Sequence, residues 1–442
     1  MAEGHATLDA FIAQLQKEEL ATIVRGEGMS SPKVTPGTAS AFGGVSDALH
    51  AYGIPVACCS DGPSGIRMEG GWKATQLPIG TLLACSFNLP MMEELYEMEG
   101  KELVSNEIDT LLGPGINIHR HPLNGRNFEY YSEDPFVTGT FAAAAVRGIK
   151  KGGSTATVKH FAANDQEKAR HTVDAVVSER ALREIYLKGF EIAVKEGGAV
   201  SIMTSYNPIN GHWSASNYDL NTTVLRGEWG FDGIVMTDWW ASMNDPIEGG
   251  EQSRQMTSAM VRAQNDLYMV INNNGAEINA MQDDSVEALE NGKLTVGELQ
   301  RSAKNICKFI VNALVMKRPL KPLEEVKVFA PLQDMEGTMA ESASDAAVRF
   351  TPEYGKTERI YVKEDGIYHV VASLMSKQPD LAQVASNINI NGELLCTVQT
   401  GGTWGRYMTQ KLTRVALKKG WYDVTTEVVK PELEFGWMEL RK

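Results

Sequence analysis

Six short apolar runs, most of them closing on a knot of polar residues, set the strongest limit on what this chain can fold into. They are Ile54-Pro-Val-Ala-Cys-Cys, Leu111 to Ile118, Ala156-Thr-Val, Val200-Ser-Ile-Met, Ile234-Val-Met and Leu267-Tyr-Met-Val. Between them lie amphipathic stretches such as Met91 to Ile108, Ser178 to Lys195 and Gln252 to Ala263. Strand–helix alternation of this kind favours a parallel sheet with helices outside it. The polar knots are Asp61, the His119–Arg126 region, Lys159-His160, Tyr206-Asn207 and Asp238. Polar groups collected at the C-terminal ends of several strands are what a barrel active site requires. The expectation is therefore a (β/α)8-type TIM barrel rather than an open doubly wound sheet, ended by a helix from Thr295 to Met316 and broken by Arg318-Pro-Leu-Lys-Pro.

Beyond about Pro331 the texture changes. Ile360-Tyr-Val, Gly366-Ile-Tyr-His-Val-Val, Asn387-Ile-Asn-Ile-Asn-Gly, Leu412 to Leu417 and Trp421 to Val429 read as short alternating strands with Gly or Asn-Gly turns. They predict a small all-β sandwich of jelly-roll type. A length of 442 residues suits two domains, placed here at 1–320 and 321–442.

Charge and composition narrow the function. With 42 basic against 56 acidic residues the net charge is −14, so a basic surface for nucleic acid is not expected. No apolar stretch approaches the roughly 18–20 residues that span a bilayer, and the N-terminal 20 residues lack a signal-peptide core. The five cysteines, Cys58, Cys59, Cys85, Cys307 and Cys396, are odd in number and include no Cys-x-x-Cys pair. Buried free thiols and a cytoplasmic location are expected.

Asp238 follows a hydrophobic strand and precedes Trp239-Trp240. A carboxylate at a strand end beside aromatics suits an attacking group facing a sugar; a helix N-cap is the alternative. Lys159-His160 could bind neighbouring hydroxyls, or be a buried histidine beside an ion-paired lysine. Arg126 lies in a turn-rich stretch and offers a rigid fork of donors. Asp61-Gly-Pro-Ser-Gly places an acceptor at the start of a tight loop. His119 and His121 have no evident third ligand, and Gly113-Pro-Gly fits no phosphate loop, so neither metal nor cofactor is expected.

Taken together, six ordered blocks resemble glycoside hydrolase family 3 of the β-glucosidase type. They are Ser60–Arg67, Gly125–Pro135, Val158–Phe161, Ser178–Tyr186, Met203–Asn207 and Trp229–Asp238, and the likeness covers roughly residues 10–318. The resemblance implies a retaining mechanism with two carboxylates roughly 5–5.5 Å apart. It implies Asp238 as nucleophile, with Asp61, Arg126, Lys159, His160 and Tyr206 holding the sugar and Trp239 flanking it. Asp61 would accept from hydroxyls while Arg126, Lys159 and His160 donate.

The sequence also departs from that family. Its acid/base glutamate lies in an α/β-sandwich domain after, or in some relatives before, the barrel. Neither place holds such a domain here, and Lys159-His160-Phe161 continues as Ala-Ala-Asn rather than as the loop motif that carries a histidine acid/base. A partner polypeptide or an N-terminal half is expected to supply the acid. The last 110 or so residues resemble the jelly-roll carbohydrate-binding modules of families 6 and 35, with Trp404, Tyr407, Trp421 and Trp437 as sugar-stacking or core aromatics. The expected substrate is a small-molecule β-glucoside or short oligosaccharide. The alternatives are a β-xylosidase or other β-glycosidase, and a catalytically silent sugar-binding subunit.

Overall fold

The computed structural model describes residues 6–29, 31–68, 73–271, 275–333, 347–379, 382–430 and 432–442. The chain divides into two units. Met1–Gly26, Gly37–Ile271 and Ala276–Lys321 make up the first; Glu27–Pro36, Asn272–Gly275 and Pro322–Lys442 make up the second.

The first unit is built on a six-stranded sheet whose spatial order is its chain order. Its strands are β1 (Ser40–Gly43), β2 (Val56–Asp61), β3 (Thr110–Leu112), β4 (Thr155–Phe161), β5 (Ser201–Thr204) and β6 (Ile234–Met236). From β2 to β6 every pairing is parallel. Two parallel bridges, Met236 to Leu267 and Arg25 to Tyr268, carry the parallel pairing past β6, as in a TIM-barrel-like fold. Leu111, Val158, Ile202 and Val235 are fully buried, as a sheet covered on both faces demands.

Among the described residues the strand–helix repeat is irregular at both ends of the sheet. Strand β1 runs antiparallel to β2, and the run at Leu267 contributes isolated bridges instead of a strand. The helix between β1 and β2, α1 (Asp47–Ala51), has five residues. At 1.5 Å per residue it spans about 7.5 Å, while the four-residue β1 spans about 13 Å. So short a helix cannot return the chain to the start of a parallel neighbour, and an antiparallel return needs no crossover.

The longer helices are α2 (Leu89–Ser105), α3 (Pro135–Gly152), α4 (Lys188–Lys195) and α5 (Val296–Asn312). Helix α3 starts where Asp134 accepts the Phe136 and Val137 N–H groups, with Pro135 in the first turn. It ends at Gly153, whose φ of 101° suits only glycine. Its face toward α2 is small: a Cβ on Gly148 would lie 2.4 Å from the Glu93 carbonyl, so the two backbones meet there at glycine distance. The amphipathic stretch at Gln252 reads as helical throughout; instead Gly249–Ser253 is extended and the helix is only Thr257–Arg262. Among the cysteines, Cys58, Cys59 and Cys307 are buried and Cys396 half-buried, but Cys85 is exposed, because it caps a short surface helix. No helix among the described residues is long and apolar enough to cross a membrane.

The second unit holds strands β7 (Lys327–Phe329), β8 (Ala347–Phe350), β9 (Thr357–Val362), β10 (Gly366–Met375), β11 (Gln383–Ile390), β12 (Glu393–Gly401), β13 (Met408–Leu417), β14 (Gly420–Lys430) and β15 (Glu434–Arg441). They form a five-stranded sheet in the order β7-β13-β10-β15-β8 and a four-stranded sheet in the order β9-β14-β11-β12. Val370, Val415 and Leu440 of one sheet and Ile360, Ile388 and Tyr422 of the other share a single core. The hairpin β11–β12 turns on Asn391-Gly392, both at positive φ, the pairing that a tight two-residue turn selects. None of the four aromatics singled out in this region fills the core: Trp404 and Tyr407 are exposed, while Trp421 and Trp437 are half-buried.

Candidate active site

Asp61 ends β2, Lys159 and His160 lie in the last turn of β4, Tyr206 stands two residues past β5, and Asp238 two residues past β6. Parallel strands in one sheet bring all of these to the same rim. The strand ends are held by a second layer of polar contacts. Ser205 gives its N–H to the Phe161 carbonyl (2.8 Å) and its hydroxyl to the Ala162 carbonyl (2.8 Å), which seats Tyr206. Thr237 accepts the Met269 N–H at 2.8 Å, which fixes the turn carrying Asp238.

One connected network results. Lys159 Nζ donates to Asp61 Oδ1 at 2.5 Å. Arg126 Nη2 reaches His160 Nε2 at 3.0 Å, and His160 Nε2 stands 3.6 Å from Asp238 Oδ2. Asp238 Oδ1 accepts from the Trp239 N–H at 2.7 Å, and the Asp238 carboxyl acts on the neighbouring Tyr206 phenol. Trp239 itself is buried. Every candidate residue is thus brought together. The N-cap alternative for Asp238 falls away, because no helix starts there; the next begins at Thr257. Lys159 is ion-paired, as its alternative reading required, but its partner is another candidate residue.

The structure adds groups that the sequence did not single out. The Arg170 guanidinium lies 4.8 Å from the Tyr206 ring centroid and bonds Glu167 at 2.8 Å. Glu129 pairs closely with Arg126. Arg67 returns to within 3.9 Å of Asp61 because Gly62 and Gly65 fold the loop back on itself. A Cβ on Gly62 would sit 2.2 Å from the Gly65 carbonyl, and its φ is +151°. Arg67 and Glu129 lay inside the resembling blocks without distinction; Arg170 and Glu167 follow β4 in a turn-rich stretch with no local signal.

Electrostatics follow from burial and these cations. Burial is the largest effect on Asp238 and lifts its carboxyl above the ordinary value, while Arg126, Lys159, the Trp239 N–H and Arg170 pull it back. Asp61 is also lifted by burial, but Lys159, Arg126 and Arg67 together outweigh that and hold it below the usual range. For His160, burial leads, and Arg126, Lys159 and Arg170 act in the same direction, so the imidazole is far below its ordinary value and neutral. The arrangement offers a buried carboxylate ringed by fixed donors, suited to polyol binding and nucleophilic attack. Among the described residues no group of His, Cys, Asp and Glu is placed to hold a metal.

Comparison with known proteins identifies the frame around this site. Residues 7–309 match the family model described as the glycosyl hydrolase family 3 N terminal domain. A β-glucosidase of Ruminococcus albus is 49% identical over 420 residues, which is 92% of this chain and 44% of that protein. A crystal structure of a β-glucosidase from Paenibacillus barengoltzii aligns with 62% identity and a TM-score of 0.77, over 99% of this chain and 48% of its own. β-Glucosidase 3B of Thermotoga neapolitana, solved with α-D-glucose, aligns at 38% identity and a TM-score of 0.62 over 70% of this chain and 43% of its own. The chain spans under half the length of these relatives.

Proposed function

The chain belongs to glycosyl hydrolase family 3, and from that premise we propose that it carries the nucleophile and the sugar-holding half of a retaining β-glucosidase. The observation that carries the reading is the convergence on Asp238. A buried carboxylate held by the Trp239 N–H, with Tyr206, Arg126, Lys159 and Arg170 around it, is an attacking group in a fixed setting. In the proposed double displacement Asp238 forms a bond to the anomeric carbon as the glycosidic oxygen departs, and water later releases the sugar. Asp61 accepts from ring hydroxyls, Arg126 and Lys159 donate to others, and Trp239 flanks the sugar. These contacts tighten as the ring flattens toward an oxocarbenium-like state.

The proton donor comes, in this proposal, from residues outside these 442. The other carboxylates of the network are each already engaged by a cation: Lys159 on Asp61, Arg126 on Glu129, Arg170 on Glu167. A carboxyl that donates to a leaving group must be free to carry a proton, which these ion-paired ones are not. The relatives carry more than half of their length outside the matched region, which is room for it. In the second unit, the exposed rings of Trp404 and Tyr407 support reading the jelly-roll-like sandwich as an accessory sugar-binding surface.

Intact mass after incubation with an activated 2-deoxy-2-fluoro-β-glucoside tests the proposal. The excellent leaving group needs no acid, so a single fluoroglucosyl adduct should form and map to Asp238. Asp238→Asn should form none, and an adduct on any other residue refutes the assignment. An alkyl β-glucoside, which does need an acid, should not be turned over by this chain alone. Turnover would place the acid within it, and Asp165, whose carboxyl burial pushes to about 6, would be the first residue to replace.

A further inference from the structure

His160 is expected, by residue type, to donate a hydrogen bond to a sugar hydroxyl. Its surroundings deny it that role. The buried side chain of Asn117 is clamped against the His160 backbone: its Nδ2 donates to the His160 carbonyl at 2.9 Å, and its Oδ1 accepts the His160 N–H at 3.0 Å. That pair of bonds decides which end of the amide is oxygen. The same Oδ1 lies 3.2 Å from His160 Nδ1, so Nδ1 must carry a proton to satisfy the contact. The Tyr130 hydroxyl agrees with this, since it donates to the Asn164 carbonyl at 3.4 Å and turns a lone pair toward Nδ1 at 3.3 Å.

On the far side of the ring the requirement is the opposite. Arg126 Nη2 has only protons to offer, and it stands 3.0 Å from Nε2. Nε2 must therefore be the bare nitrogen. Two independent sets of contacts, on opposite edges of one ring, demand the same proton position. We infer that Asn117 is a positioning residue that fixes His160 as the neutral Nδ1–H tautomer and so leaves Nε2 as an acceptor for Arg126. Burial and the surrounding cations keep a second proton off the ring.

Two things follow. The 3.6 Å approach of His160 to Asp238 is not an ion pair, and the negative charge of Asp238 is not spent on an imidazolium. Arg126 is braced by Glu129, by Nε2 and, at 3.8 Å from Nη1, by Glu167, so the guanidinium plane that would meet a ligand is fixed. The tautomer itself needs only these hydrogen bonds; its consequence for sugar binding rests on the function proposed above.

The test is the long-range 1H–15N correlation spectrum of the full chain labelled with 15N-histidine, with His160 assigned by the signals lost in His160→Gln. The expected result is a protonated, pyrrole-type Nδ1 and a bare, pyridine-type Nε2 for His160 from pH 5.5 to 8. An Nε2–H tautomer or a doubly protonated ring overturns the inference. In Asn117→Ala a population with the proton on Nε2 should emerge; an unchanged His160 spectrum would show that Asn117 does not set the tautomer. Asn117→Asp should draw a second proton onto the ring and slow fluoroglucoside labelling by about 10- to 100-fold. The spectrum is read without sugar, so it fixes the proton position even if the glycosidase assignment fails, and the wild-type spectrum decides the tautomer even if a variant does not fold.

Discussion

Replacing Lys159 by methionine isolates the ion pair that joins two strand ends of the barrel. Lys159 is 4% exposed in its side chain and holds Asp61 Oδ1 at 2.5 Å. Removing one member of a buried pair costs about 3–5 kcal/mol, because the other charge is left without its partner. Asp61 keeps 35% of its side-chain surface and still has Arg67 at 3.9 Å, so the lower end, about 3 kcal/mol, is the expected loss. At about 2 °C per kcal/mol for a unit of this size, the calorimetric midpoint of the barrel should fall by about 6 °C at pH 7. Asp61→Asn alone should cost at least as much, since it leaves the more deeply buried Lys159 ammonium without its counter-charge. The double variant should be more stable than the sum of the two losses by about 2 kcal/mol or more. Strict additivity, or a Lys159→Met midpoint within 1 °C or so of wild type, would refute the claim that this pair is buried and coupled.

Glu99 on α2 should make stability depend on pH. It is 2% exposed with neither carboxyl oxygen hydrogen-bonded, and burial, helped by Glu102, raises its pKa from 4.5 to about 8. The folded chain therefore holds a proton that the unfolded chain releases, so stability falls as pH rises through that window, by about 3–4 kcal/mol between pH 5 and 8, at up to about 1.4 kcal/mol per unit and less near either pKa. Glu99→Gln should flatten that slope in denaturant titrations; an unchanged slope would show that the carboxylate ionises freely in the fold. Gly62→Ala should cost about 1–3 kcal/mol and slow fluoroglucoside labelling, because its φ of +151° and the Gly65 carbonyl exclude a Cβ without moving Asp61 or Arg67. Asp109 is fully buried and accepts the Cys58 N–H at 2.8 Å, the Val315 N–H at 2.7 Å and Arg318 Nη2 at 3.1 Å. Asp109→Ala should lose about 3–5 kcal/mol in the same titrations, with a loss below about 1 kcal/mol contradicting the role.

Much of the barrel was legible because its strands are buried on both faces and so read as plain apolar runs: Ile234–Met236 is a strand over the residues that the pattern marks. The strand-end polar residues were legible for a related reason, since a charge directly after an apolar run has few structural uses. What failed was contextual. Leu267 to Val270 has strand composition and bonds to both neighbours, yet it pairs as isolated bridges rather than as a regular ladder, a matter of what lies beside it and not of the run itself. Gly249 and Gly250 take positive φ, which turned a helical-looking stretch into a bend and a short strand. The supporting residues were invisible for a stronger reason. Asn117 acts on His160 across 43 positions of sequence, and an asparagine carries no periodic or local mark of such a task. Arg170 gains its meaning only where its loop crosses Tyr206.

The antiparallel β1 has a kinetic side. Its connection to β2, residues 44–55, is about a quarter the length of the connection from β2 to β3, residues 62–109. Closing the shorter loop costs about 1.2 kcal/mol less chain entropy, at about 0.6 kcal/mol per halving. Within a six-stranded sheet whose other pairings are parallel and more distant in sequence, and so assemble slowly, this is the contact with the lowest closure cost and the one placed to form first. It would then offer the edge of β2, with Asp61 at its tip, as the template on which β3 and the later strands add in chain order.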